Sequence, residues 1–193
     1  AAHYTSPPND ENVISEGDVV KVDFGVHIDG YIADGAFTVS FNPEYDTLIE
    51  AAEEALQKAV EKIKPKVNTK ELGAIIEDTI KKYGYRPIKD LSGHILDQYN
   101  LHGPKIIPNV KIPFGKEIKE GEVYAIETFA TTGQGSVKEM PQAYIYSLLP
   151  VRTPARFSAS RKVLTEVIKE YKSLPFAQRW LAKKIPVGSL RVA

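Results

Sequence analysis

The sequence predicts an α+β fold, and three observations carry that prediction. Two strand-like runs flank an Asp-Gly pair at 29–30. Two helical stripes follow back to back, over 47–63 and 68–83. Strand-like pieces then return around 105–111, 122–130 and 142–149. Strands and helices in blocks are the order of an α+β domain, not of alternating βαβ units.

Each element has its own local cause. Residues 6–17 hold two prolines, two asparagines, Asp10 and Gly17, and read as a loop. The run 18–26 is rich in valine, and 31–41 in β-branched and aromatic residues; Asp29-Gly30 between them is a strong short-range hairpin signal. If those two residues form the turn, Ile28 pairs with Tyr31 and Asp23 lies opposite Ala36. Asp34 then shares a face with Asp23, diagonal to it. A register slip of one residue would put the two carboxylates on opposite faces, so this inference depends on the turn type. Asn42-Pro43 ends the hairpin, and Leu48, Ala51, Ala52, Ala55, Leu56, Ala59 and Ile63 mark the first helix. Pro65 stops it. Asn68 and Glu71 cap a second helix whose stripe is Leu72, Ile75, Ile76 and Ile80, ending at Tyr83-Gly84. From Pro150 the pattern turns helical, over 161–171 and 176–184, so the chain is expected to divide into 1–149 and 150–193.

Composition narrows the chemistry. With 42% hydrophobic residues in 193 the chain can bury a core. Lys+Arg and Asp+Glu are 25 each, which gives no net basic excess for nucleic acid or a membrane surface. No apolar run approaches the roughly 18 residues of a membrane-spanning helix. No signal-peptide pattern precedes the polar opening, and a cytoplasmic monomer is expected. There is no cysteine, so disulfides and thiolate metal sites are excluded, and any metal must be held by carboxylate and imidazole.

Such groups stand in unusual places. Asp23 and Asp34 each interrupt an apolar strand, and Glu127 interrupts 123–129. Ionised carboxylates close together on a buried face repel each other and lose hydration, which cations relieve; two metals sharing a carboxylate are one such arrangement. The alternative is that one aspartate, or Glu127, faces solvent. His94 and His102 lie in glycine-containing segments where backbone can approach a ligand closely. His27 stands beside the turn and reads as exposed and unrelated to catalysis.

These segments resemble a known family. Residues 21–39, the opening 2–5, Leu91-Ser92-Gly93-His94, Leu101-His102-Gly103 and 124–129 look like the type 2 methionine aminopeptidases, archaeal rather than eukaryotic in their short loops. Residues 174–181 are similar to the helical insertion of that type. The resemblance implies the "pita-bread" creatinase/aminopeptidase fold, a curved antiparallel sheet flanked by helices. Residues 1–149 would be a partial catalytic domain and 150–193 part of the insertion. It further implies two divalent ions (Co, Mn, Fe, Zn or Ni) on Asp23, Asp34, His94 and Glu127, with Asp34 bridging. Catalytic roles would fall to His102, Glu127 and His3, and substrate contacts to His3, His102, Leu101 and Phe129. The implied substrates are N-terminal Met peptides and nascent chains.

Two departures qualify the resemblance. Gly103-Pro104 stands where the family has Ala-Gly, and proline removes a backbone donor beside His102. The family's fifth ligand, a glutamate in a Gln-Phe-Glu-His-Thr-like motif, does not occur before Ala193, so the chain is expected to be a central fragment. A catalytically incomplete piece, a non-enzymatic binding protein of the same fold and a prolidase-like dipeptidase are the competing readings.

Overall fold

The computed structural model describes residues 2–149 and 155–185. Strand β1 (Val19–Ile28) and strand β2 (Tyr31–Ser40) form an antiparallel hairpin, in register from Val19 opposite Ser40 to Ile28 opposite Tyr31. Asp29 and Gly30 have φ of 50° and 86°. Two successive positive φ angles are the signature of the tight turn whose twist matches that of a hairpin. This turn fixes the register, so Asp23 lies opposite Ala36 and Asp34 opposite Gly25, and both aspartates share one face.

A 3₁₀ turn at Pro43–Tyr45 leads into helix α1 (Asp46–Lys62), which buries Ala51, Ala55 and Ala59. Helix α2 (Thr69–Lys82) starts in a reciprocal cap. The Asn68 side chain accepts from the Lys70 amide at 3.0 Å, and Glu71 accepts from the Asn68 amide at 3.1 Å. Its buried stripe, Leu72, Ile76 and Ile80, packs with Ala55, Ala59, Val67, Ile107 and Ile118 into one core.

The remaining strands are short. Strand β3 (Arg86–Pro87) pairs with β7 (Ala130–Thr131). Strand β4 (Ser92–Leu96) lies between β5 (Ile106–Pro108) and β6 (Val123–Ala125), all antiparallel. Strand β8 (Ile145–Tyr146) pairs with β9 (Phe176–Ala177), beside helices α3 (Ser158–Glu170) and α4 (Gln178–Ala182). Val163, Val167, Phe176 and Leu181 form a second core.

The α+β expectation holds: the strands form four small antiparallel sheets among the described residues. Two expectations need correction. The segment 122–130 splits into β6 and β7, with residues 126–129 outside any strand. The segment 176–184 opens as a strand before turning helical. Strands β3 and β4 were not anticipated. Two compact units result, Ile14–Lys138 and Ala1–Val13 with Glu139–Ala193, where the sequence reading divides the chain once, at 149/150.

Candidate metal centre

The site is built on β4, where His94 pairs with Ile106 on one side and Ala125 on the other. Its neighbour Gly93 is required by packing. A Cβ there would run into the carbonyl oxygen of Ala125 and stand 3.0 Å from the amide nitrogen of Glu127. The bare glycine therefore lets residues 125–127 lie against β4, which brings Glu127 to His94. His94 Nε2 is 2.9 Å from Glu127 Oε1 and 3.7 Å from Asp34 Oδ2.

Glu127 is held where the ladder has already ended. Fully buried Asn109 donates from Nδ2 to the carbonyls of Leu91 and Glu127, both at 3.0 Å. Its Oδ1 accepts from the Phe129 amide at 3.0 Å. One amide side chain thus replaces the missing strand partners on 127–129. Thr128 donates to the carbonyl of Ala52 on α1 at 2.8 Å and fixes the segment from its other side. Neither residue carries a signal in the sequence that would have singled it out.

The hairpin is anchored to the loop after β4 through its tip. The Tyr99 amide donates to the Gly30 carbonyl at 2.9 Å, and Gln98 Nε2 to the Asp29 carbonyl at 2.8 Å. His27 is exposed, as expected, but it works for the turn: its Nδ1 accepts from the Gly30 amide at 3.2 Å, and its ring meets Tyr99 edge-on. A side chain at Gly30 would run into the Tyr99 ring.

The other nominated residues fall in different places. Asp23 is exposed and stands outside the Asp34, His94 and Glu127 group, so loss of hydration bears on Asp34 rather than on Asp23. His102 is exposed, with its ring centroid 4.5 Å from that of His94 and steeply inclined to it. Leu101 and Phe129 are half-buried, and Lys21 Nζ lies 5.0 Å from the Phe129 ring centroid. His3 is exposed and belongs to the other unit. Pro104 costs the loop no partner: Gly103 donates to the Ile95 carbonyl at 3.0 Å, and Ile95 donates to the Lys105 carbonyl at 2.9 Å, bypassing the proline.

Electrostatics sharpen the picture. Burial raises the pKa of Asp34, and the negative charge of Glu127 pushes it the same way. For His94 burial is the largest single influence and opposes charge. The hydrogen bond and charge of Glu127, the charge of Asp34 and the Leu101 backbone together outweigh it, so its pKa is raised. Among the described residues, buried Nδ1 of His94 nevertheless has no partner with hydrogen-bond geometry. Burial lowers the pKa of Lys21, against the attraction of Asp23 and Glu127.

One ligand atom from each of Asp34, His94 and Glu127 falls within 4.8 Å of the other two. Two crowded carboxylate oxygens and an imidazole nitrogen form a hard O/N donor set, and a divalent cation among them would offset both the burial and the Glu127 repulsion that raise Asp34. The residues fit such an ion.

Comparison with known proteins points the same way. Residues 1–148 match the model of metallopeptidase family M24. The chain is 48% identical over 195 residues to a methionine aminopeptidase from Pyrococcus horikoshii, covering 100% of this chain and 65% of that protein. The chain therefore spans just under two thirds of that relative. Among solved structures, methionine aminopeptidase from Thermotoga maritima superposes with a TM-score of 0.64 at 29% identity, over 70% of this chain and 55% of that one. A thermophilic Arx1 shares the fold alone, with a TM-score of 0.75 at 22% identity over 98% of this chain and 62% of that one. Prolidase from Pyrococcus furiosus reaches 0.55 at 31% identity over 62% of this chain and 35% of that one.

Proposed function

The chain belongs to metallopeptidase family M24, and from that premise we propose that its protein is a methionine aminopeptidase, cleaving Met from the N-terminus of peptides and nascent chains. The observation that carries the reading is the convergence of Asp34, His94 and Glu127 from three separate segments, in a chain 48% identical to a methionine aminopeptidase. The prolidase reading is less favoured, since the prolidase likeness covers 62% of the chain and the aminopeptidase relative all of it.

In this proposal Asp23, Asp34, His94 and Glu127 hold two divalent ions from among Co, Mn, Fe, Zn and Ni. When bound, such ions supply an acidified water and polarise the scissile carbonyl. The chain's own residues do the rest. Asp34 sits centrally because β2 carries it on the same face as Asp23 and toward His94. Glu127, whose Oε1 lies 2.9 Å from His94 Nε2 and which is still partly open to solvent, would take a proton and pass it to the leaving amine. His102 projects beside His94 from a loop tied back to β4, where it can donate to the developing oxyanion. Leu101 and Phe129 offer apolar surface to the Met side chain, and the part of His3 in substrate contact rests on the resemblance of residues 2–5 alone.

The test uses the full-length polypeptide. Asp34→Ala should abolish stoichiometric Mn²⁺ or Co²⁺ binding in calorimetry and release of Met from Met-Ala-Ser. Full turnover by that variant would refute the site.

A further inference from the structure

Asp34 and His94 are carried by different sheets. Among the described residues β1 and β2 pair with each other alone, while β4 lies between β5 and β6. A two-stranded hairpin is marginal by itself, and no shared ladder sets its distance from β4. Yet Asp34 Oδ2 stands 3.7 Å from His94 Nε2.

The far end of the hairpin supplies the connection. Residues 97–100, just after β4, make a turn closed in both directions. The Asp97 amide donates to the Asn100 carbonyl at 3.0 Å, and the Asn100 amide to the Asp97 carbonyl at 2.9 Å. Within it Tyr99 has φ of 56°, a left-handed conformation that is costly for a bulky residue and persists only where its surroundings hold it. In that conformation the Tyr99 amide donates to the Gly30 carbonyl at 2.9 Å, and its ring lies directly over Gly30. Gly30 is buried, although every residue of β1 from Lys21 to Ile28 is exposed. Gln98 Nε2 donates to the neighbouring Asp29 carbonyl at 2.8 Å. His27 braces the same turn from within the hairpin, its Nδ1 accepting from the Gly30 amide and its ring 5.8 Å from that of Tyr99.

Both carbonyls of the hairpin turn are therefore held by residues that follow His94 closely in the chain, and the same loop goes on to Leu101 and His102. Asp34 lies four residues past Gly30, about 13 Å along β2. We propose that Gln98 and Tyr99 are positioning residues for the metal centre: by clasping the hairpin tip they set where Asp34, and Asp23 on the same face, stand relative to His94. They touch neither ion nor substrate. This role rests on the metal centre proposed above and supplies a cause for its geometry.

The experiment is calorimetric titration of the metal-free full-length polypeptide with Mn²⁺, alongside urea unfolding and amide hydrogen exchange. Gln98→Met keeps the length of an exposed side chain and removes its donor. Tyr99→Gly keeps the amide and the positive φ but removes the ring. Together they should weaken Mn²⁺ binding about tenfold, the lower end of what outer partners of metal ligands are worth. Exchange along β1 and β2 of the metal-free protein should quicken, with α2 unchanged. Tyr99→Phe in place of Tyr99→Gly should recover affinity, and no recovery overturns the part of the ring. If the pair does not fold, Gln98→Met alone decides, with about threefold expected, half of the tenfold on a logarithmic scale. Mn²⁺ affinity equal to that of the unmodified protein in a folded variant overturns the proposal, and stability lost with affinity intact does the same, because the clasp is then structural alone. Asp34→Ala keeps the two readings apart. If it still binds Mn²⁺, the metal centre is wrong; if it loses binding while the clasp variants keep theirs, only the clasp is wrong.

Discussion

A Cβ at position 93 would collide with the Ala125 carbonyl and crowd the Glu127 amide, so Gly93→Ala should displace Glu127 while leaving every ligand side chain in the sequence. The expected outcome is a folded protein destabilised by about 1–3 kcal/mol, the usual range for overpacking, with metal affinity lost well beyond that figure. Calorimetric titration alongside urea unfolding separates the two effects; unchanged metal binding would show that Glu127 needs no such support. Asn109→Leu attacks the same segment differently. It leaves the carbonyls of Leu91 and Glu127 and the Phe129 amide without their partner, and should cost about 3 kcal/mol or more in urea unfolding. At this scale the sequence is only half legible. Asp34, His94 and Glu127 stand out because charged or imidazole groups interrupt apolar runs. Asn109 is invisible, because a buried asparagine among Pro108 and Val110 looks like any turn residue until its three partners are known.

Among the elements, the hairpin was readable because Asp29-Gly30 dictates both turn and register. Strand β4 was not: Ser92-Gly93-His94-Ile95-Leu96 is short, contains glycine and lacks alternation, and only its two neighbours make it a strand. Strand β6 is shorter than its sequence pattern for the converse reason. Its apolar run continues through Ile126 and Phe129, but the ladder stops at Ala125 and Asn109 takes over. The start of β6 is pinned by Glu122, which accepts from Lys105 Nζ at 2.5 Å, the Lys119 amide at 2.8 Å and the Tyr124 hydroxyl at 2.8 Å. The Lys105 hydrogen bond is the main reason its pKa falls from 4.5 to about 2. A carboxylate with a depressed folded pKa contributes stability above its unfolded value, and that contribution is lost as pH falls through the folded one. The unfolding midpoint should therefore drop between pH 4.5 and 2 more steeply for the unmodified protein than for Glu122→Gln. Parallel acid limbs in urea titrations of the two would contradict this.

The described residues form two cores, one under α1, α2 and β5 in the unit Ile14–Lys138 and one around α3, β9 and α4 in the other unit. Asp34, His94 and Glu127, the candidate ligands, all belong to the first unit. A ligand that binds only the folded state stabilises what it binds, by about 2.7 kcal/mol at one hundred times its dissociation constant. Metal should therefore act locally. With saturating Mn²⁺, amide hydrogen exchange should slow across β4 and residues 123–129 and at Asp34, and remain unchanged along α3. A chelator should restore the original rates, and Asp34→Ala should show no response. Equal protection of α3 would mean that the two units unfold as one, and no protection around β4 would mean that the three converging side chains hold no ion.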